Sequence, residues 1–272
     1  MGLSDDFLWG GATAANQAEG GVLAGGRGLS NVDLLPTGPD RAKVATGELE
    51  MLEWQEDSFY PAQTAIDMYH HYMEDIALFA EMGFNVYRMS LSWSRIFPNG
   101  NDEAPNEEGL LFYEKIFKEL RKHQIEPLVT IAHFDVPLHL IKEFGGWKNR
   151  RLIDFYVTYA ETVFQRYRGL VKYWLTINEQ NMMTLVGPLI GTLRVPEATT
   201  NLTKEIYQQN HHQLVAQAKA MQLCHEMLPK AKIGPAPNIA LAYPNSNRPE
   251  DIIAEQNANA IRNWLYLDMA VY

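Results

Sequence analysis

Short apolar runs alternate with longer amphipathic stretches along this chain, and that alternation restricts the fold more than any other feature. Five runs read as buried parallel strands: residues 7–13, 84–90, 127–133, 173–179 and 232–240. In the first stretch between them, Ile66, Tyr69, Met73, Ile76, Ala77 and Ala80 recur on one helical face, and Gly83 supplies a stop. Leu110, Tyr113, Ile116, Phe117 and Leu120 form the next stripe. A third holds Ile153, Tyr156, Ala160, Val163, Phe164 and Tyr167, with Asn149 as its N-cap and Gly169 as its stop. A fourth helix spans about 203–228 and halts at Pro229. The last segment, 258–272, is helical in pattern and carries no stop signal, so it reads as an element cut short. Strand–helix–strand order requires crossovers and hence a parallel sheet.

An open doubly wound sheet and a closed (β/α)8 TIM barrel both satisfy this order. The placement of polar residues separates them. Each run is apolar through its body and turns polar at its C-terminal end: Asn16 and Gln17, then Arg88 and Ser90, His133 and Asp135, Asn178 and Glu179, and Asn238. A barrel assembles its active site from the C-terminal ends of many strands. A doubly wound sheet concentrates ligand groups at one switch point, usually behind a Gly-rich first turn. The expected fold is therefore a TIM barrel, with about five of its eight βα units in this chain. Residues 1–272 would be the N-terminal portion of one domain, since no repeat or Gly/Ser linker divides them.

Composition enters as a set of exclusions. A net charge of −10 leaves no basic footprint for nucleic acid. No apolar run approaches the length of about 20 residues that spans a bilayer, and no basic-then-apolar leader opens the chain. The expected location is cytoplasmic. Cys224, the single cysteine, reads as a buried, inert thiol. The glycine-rich run 20–30 lacks G-x-G-x-x-G spacing, and the pairs His70-His71 and His211-His212 lie on helical, partly exposed stretches. No cofactor and no metal are implied.

Four segments carry chemistry. In Y-W-L-T-I-N-E-Q-N (173–181), an Asn-Glu pair at a strand end can make Glu179 a general acid, raised by desolvation, or equally a helix cap. In L-V-T-I-A-H-F-D-V-P (128–137), His133 fits a core histidine best and a hydroxyl donor next. Asp135 there fits a loop cap better than a second catalytic carboxylate. In F-N-V-Y-R-M-S-L-S-W-S-R-I-F-P (84–98), Arg88 inside a strand demands a buried acidic partner. In F-L-W-G-G-A-T-A-A-N-Q-A-E-G (7–20), small residues let the chain pass close to a ligand, and Gln17 offers donor and acceptor.

Together, in order and at their intervals, these segments resemble glycoside hydrolase family 1 over essentially the whole chain. The resemblance implies that Glu179 is the acid/base and that Asn178 binds the sugar 2-hydroxyl. It implies that Gln17 and His133 bind other hydroxyls, that Arg88 holds the nucleophile, and that Trp93 helps build the pocket wall. Phe134 and the Gln180-Asn181 pair, with the runs 60–72, 137–147 and 263–272, are similar to the branch acting on 6-phosphorylated β-glucosides. The implied ligand is a small phosphorylated β-glucoside, with ordinary β-glucosides or 6-phospho-β-galactosides as alternatives. The family's nucleophile motif, of T-E-N-G type, does not occur here. The expected partner is thus a complementary C-terminal fragment or a second copy, and a non-catalytic sugar-binding half-barrel is the reading from another class. Inverting hydrolysis by Asp135 with Glu179 is a further alternative, requiring carboxyls about 6.5–9.5 Å apart.

Overall fold

The computed structural model describes residues 2–4, 6–185 and 201–271. Five parallel strands lie side by side in sequence order: β1 (Gly10–Ala12), β2 (Val86–Ser90), β3 (Glu126–Ala132), β4 (Tyr173–Asn178) and β5 (Lys232–Ala236). Arg88 is the hub of the register, opposite Ala12 on one side and Leu128 on the other. A doubly wound sheet would place β1 inside. Here β1 and β5 are the two edges, as successive crossovers of one hand produce.

The helices that flank the sheet include α1 (Ala15–Ala18), α2 (Met68–Glu81), α3 (Glu107–Lys122), α4 (Leu152–Arg166), α5 (Leu202–Met227), α6 (Pro249–Asn259) and α7 (Leu265–Val271). Helix α3 begins where the Asn106 side chain accepts the Glu108 N–H, and its acidic first turn and basic last turn suit the helix dipole. Its whole expected stripe is buried, as is that of α4. Asn149 is not the N-cap but lies two residues before it: its side chain accepts the N–H of Arg151, which holds that position, and α4 starts at Leu152. Tyr159 on α4 and Tyr167 just past its end donate to the carbonyls of Ile131 and Leu110, tying that helix to β3 and α3.

Two expectations need correction. In α2 only Met68 and Ile76 are buried, while Ile66, just before the helix, and Met73 are more than half exposed. The helix packs against α3 and, through Phe79, against Tyr87 of β2, while its outward side stays exposed at Met73, Leu78 and Met82. The fifth run ends at Ala236, not 240, because side chains replace the ladder beyond that point. Asn263 pairs with both backbone groups of Ala240, and Asn259 does the same for Ala242. Asn259 closes α6, and Asn263 lies within the single π-helical turn, Ala260–Trp264, that joins α6 to α7. Position 272 lies outside the described residues.

Candidate active site

The polar strand ends converge at the C-terminal edge of the sheet. After Asn178 the chain turns at once, and Glu179 adopts φ 46° in the left-handed region. That conformation is costly for a residue with a side chain, so surrounding bonds must enforce it. They do: Glu179 N–H donates to Ala236 O on β5 (2.8 Å), and Glu179 O accepts from Met182 N–H (2.9 Å). The half-buried carboxyl is held by Asn238, whose Nδ2 donates to Oε1 at 3.1 Å.

Arg88 donates through Nη2 to Asn178 Oδ1 (2.5 Å) and through Nε to Thr130 Oγ1 (3.2 Å). A guanidinium only donates, so the Asn178 amide must give it the oxygen and keep its NH2 for a ligand. Burial lowers the Arg88 pKa, and the charge of Glu179 opposes that shift. The buried acidic partner expected of Arg88 is not among the described residues. Its bonds go to neutral oxygens, and Glu179 faces it only through space.

His133 is held neutral. Burial first, then the nearby Arg88 charge, lowers its pKa to about 4. Its buried Nδ1 has no partner, and Asn16 Nδ2 donates to its carbonyl (3.0 Å). A neutral imidazole with a free ring nitrogen suits an uncharged hydroxyl. Phe134 follows at φ 71° with its ring edge-on to His133. Asp135 closes this turn: Oδ1 accepts the His133 N–H (3.1 Å), and the carboxyl is 2 % exposed. Asp135 is therefore the loop cap, and a catalytic carboxylate sealed from the cleft cannot activate water. Gln17 Oε1 accepts the Ala14 N–H, which leaves its NH2 group for a ligand. Gln17, His133 and Phe134 share one cavity of about 600 Å³ with Asn16, Arg41 and Phe59.

Trp93 does not reach that cavity. It is fully buried, stacked on Tyr159 at 5.3 Å with the rings 4° from parallel. An indole of that size is worth more in the core, where it meets an aromatic layer, than on a wall. Sequence reasoning placed Asn238 at a strand end without giving it a role, and Asn16 likewise. Both are bonded to site residues, and their position just past β5 and β1 was the available signal. Among the described residues, no group of three or more His, Cys, Asp or Glu can hold a metal ion. Nor is any described helix long and apolar enough to cross a membrane. Cys224 is buried, and burial pushes its thiol up to about 11. Of the paired histidines, His70 and His71 are exposed beside Asp67, whereas His212 is buried against the Trp147 carbonyl.

The signature of glycosyl hydrolase family 1 matches residues 2–272. The chain belongs to that family. It is 48 % identical over 265 residues to the 6-phospho-beta-glucosidase AscB of Escherichia coli, a match covering 97 % of this chain and 56 % of AscB. With the aryl-phospho-beta-D-glucosidase BglH of Bacillus subtilis it shares 48 % identity, over 92 % of this chain and 51 % of BglH. A family 1 β-glucosidase structure from Thermotoga maritima superposes with a TM-score of 0.79 at 32 % identity, over 96 % of this chain and 55 % of that one. The rice Os3BGlu6 β-glucosidase gives 0.82 at 30 %, over 98 % and 55 %. The chain thus spans about half the length of the family members it matches.

Proposed function

We propose that this chain forms the acid/base half of a retaining (β/α)8-barrel β-glycosidase that hydrolyses 6-phosphorylated β-glucosides. The observation that carries the reading is the Glu179 carboxyl, held by Asn238 at the rim of the sheet and facing Arg88 beside the Asn178 amide. The curated relatives named as acting on phosphorylated β-glucosides, AscB and BglH, support the substrate class. Among the described residues β1 and β5 each pair on one side only, which supports a barrel of more than these five strands.

The chemistry is a two-step displacement. A carboxylate from the other half attacks the anomeric carbon while Glu179 donates its proton to the leaving oxygen. Glu179 then takes a proton from water, whose oxygen releases the sugar. Retention requires the two carboxyls to stand about 5–5.5 Å apart. The Asn178 NH2, the neutral His133 ring and the Gln17 amide bind sugar hydroxyls, and Arg88 holds the attacking carboxylate in place. Phe134 closes the wall.

The test is Glu179→Gln in the full-length protein. Glycosylation by substrates with poor leaving groups should fall about 100-fold or more, and activated aryl glycosides should be spared in that step. Equal losses on both would remove Glu179 from the role of acid. The substrate class is tested by kcat/KM on matched 6-phosphorylated and plain β-glucosides. Charge-assisted contacts to phosphate predict a preference of roughly 100-fold or more, and equal values would make the enzyme an ordinary β-glucosidase.

A further inference from the structure

Asn238 has two hydrogen-bonding ends, and both are in use. Nδ2 donates to Glu179 Oε1, while Oδ1 accepts from Arg262 Nη2 at 2.7 Å. A guanidinium has no acceptor, so Arg262 fixes which way the amide is turned. With its oxygen claimed by a cation, Asn238 can present only its NH2 to Glu179. The reverse orientation would set an amide oxygen against a carboxylate and an NH2 against a guanidinium.

Arg262 has no carboxylate within ion-pair distance among the described residues, so this is not an ordinary salt bridge. Its other guanidinium nitrogen, Nη1, points at Met182 Sδ (3.6 Å), and Met182 N–H closes the turn that carries Glu179. The Arg262 carbonyl accepts from Asn181 Nδ2 at 2.9 Å. Backbone and side chain of Arg262 are therefore both tied to the segment 179–182. Arg262 lies within the π-helical turn Ala260–Trp264, an irregularity that costs regular helix bonds and recurs at functional sites.

We propose that Arg262 is a positioning residue for the acid/base: through Asn238, it fixes the carboxyl of Glu179 for proton transfer to the leaving oxygen. This rests on the glycosidase reading above. Arg88, on β2, acts on Glu179 through space while its own bonds go to Thr130 and Asn178.

The experiment is a leaving-group series of aryl and alkyl 6-phospho-β-glucosides, run on the full-length enzyme with Arg262→Met, Arg262→Lys, Asn238→Leu and the double variant Arg262→Met/Asn238→Leu. For Arg262→Met, kcat/KM should fall about tenfold on poor leaving groups, part of the whole acid contribution, and stay within about twofold on activated aryl substrates. Arg262→Lys should recover most of the loss, because it restores a cationic donor to Asn238 Oδ1. The double variant should be no worse than Asn238→Leu alone, since the two residues act in series. A uniform loss across leaving groups, or additive losses in the double variant, overturns the relay. If Arg262→Met does not fold, Arg262→Leu, which likewise has no donor, takes its place with the same readout. A wild-type enzyme without β-glycosidase turnover would overturn the underlying reading and the relay with it. An active wild type with a flat series overturns the relay alone.

Discussion

The centre of the sheet and its two edges are made from similar sequence, yet they are packed very differently. In α3 and α4, which cover β2–β4, every residue of the expected apolar stripes is buried. In α2 and the turn before it, a stripe of the same kind leaves Ile66 63 % exposed and Met73 57 % exposed. The β5 side repeats this, with Leu241, Tyr243, Ile253 and Trp264 all largely exposed. Amphipathicity tells a helix which face to bury, and only a neighbour can bury it. The edges are patterned for neighbours; the centre already has them.

The comparison breaks most sharply at Trp93. Trp93→Ala removes a fully buried indole from the aromatic layer of Tyr156 and Tyr159 and should cost about 3–5 kcal/mol, read as the loss in urea unfolding free energy. A loss below about 1 kcal/mol would mean the centre is no better packed than the edges.

Asp135 gives the centre an electrostatic signature. Burial pushes its carboxyl up to about 7, against the opposing effects of the His133 amide and Arg27. Glu19 on α1 acts in the same direction as burial, and Tyr159 on α4 also feels the Asp135 charge. Below about pH 4 both folded and unfolded chains hold this proton. Between about 4 and 7 the unfolded chain releases it first, so stability falls as pH rises and levels off above 7. Relative to wild type, Asp135→Asn should gain roughly 2–3 kcal/mol between pH 5 and pH 8. Unfolding curves at the two pH values test this, and a constant difference would show that the carboxyl is not buried as described.

The smallest effect on stability is expected at the edge. Met73→Ser should change the unfolding free energy by less than about 0.5 kcal/mol, because little apolar area is buried there to lose. Its consequence is for association instead. Residues 1–272 expressed alone should self-associate through the open edges or precipitate, and should show no turnover of an aryl 6-phospho-β-glucoside. Light scattering reads the first and a hydrolysis assay the second. Weaker association in Met73→Ser would place α2 in the contact.

The five strands, their direction and the polar rim were legible because each rests on local pattern: an apolar run, then a polar residue where the run ends. Glu179, Asn178, His133 and Gln17 were visible for that reason. The left-handed turns at Phe134 and Glu179 were not, since no glycine marks them and each is braced partly from a distant segment: Asn16 reaches the His133 carbonyl, and Ala236 of β5 accepts the Glu179 N–H. Trp93 was expected on the pocket wall from the family resemblance alone, whereas Tyr159, more than sixty residues away, draws it into the core. Arg262 gave no signal at all. Its meaning depends on Asn238 and Met182, and only the folded chain brings the three together.

The paired asparagines beyond β5 have one more consequence. Asn259 and Asn263 bind the peptide units of Ala242 and Ala240, one donor and one acceptor each, and so read the loop without reading its side chains. The loop's residue identities at those two positions are therefore free to drift, while the two helix residues that grip it are not. Variation should be tolerated on one side of this contact and refused on the other.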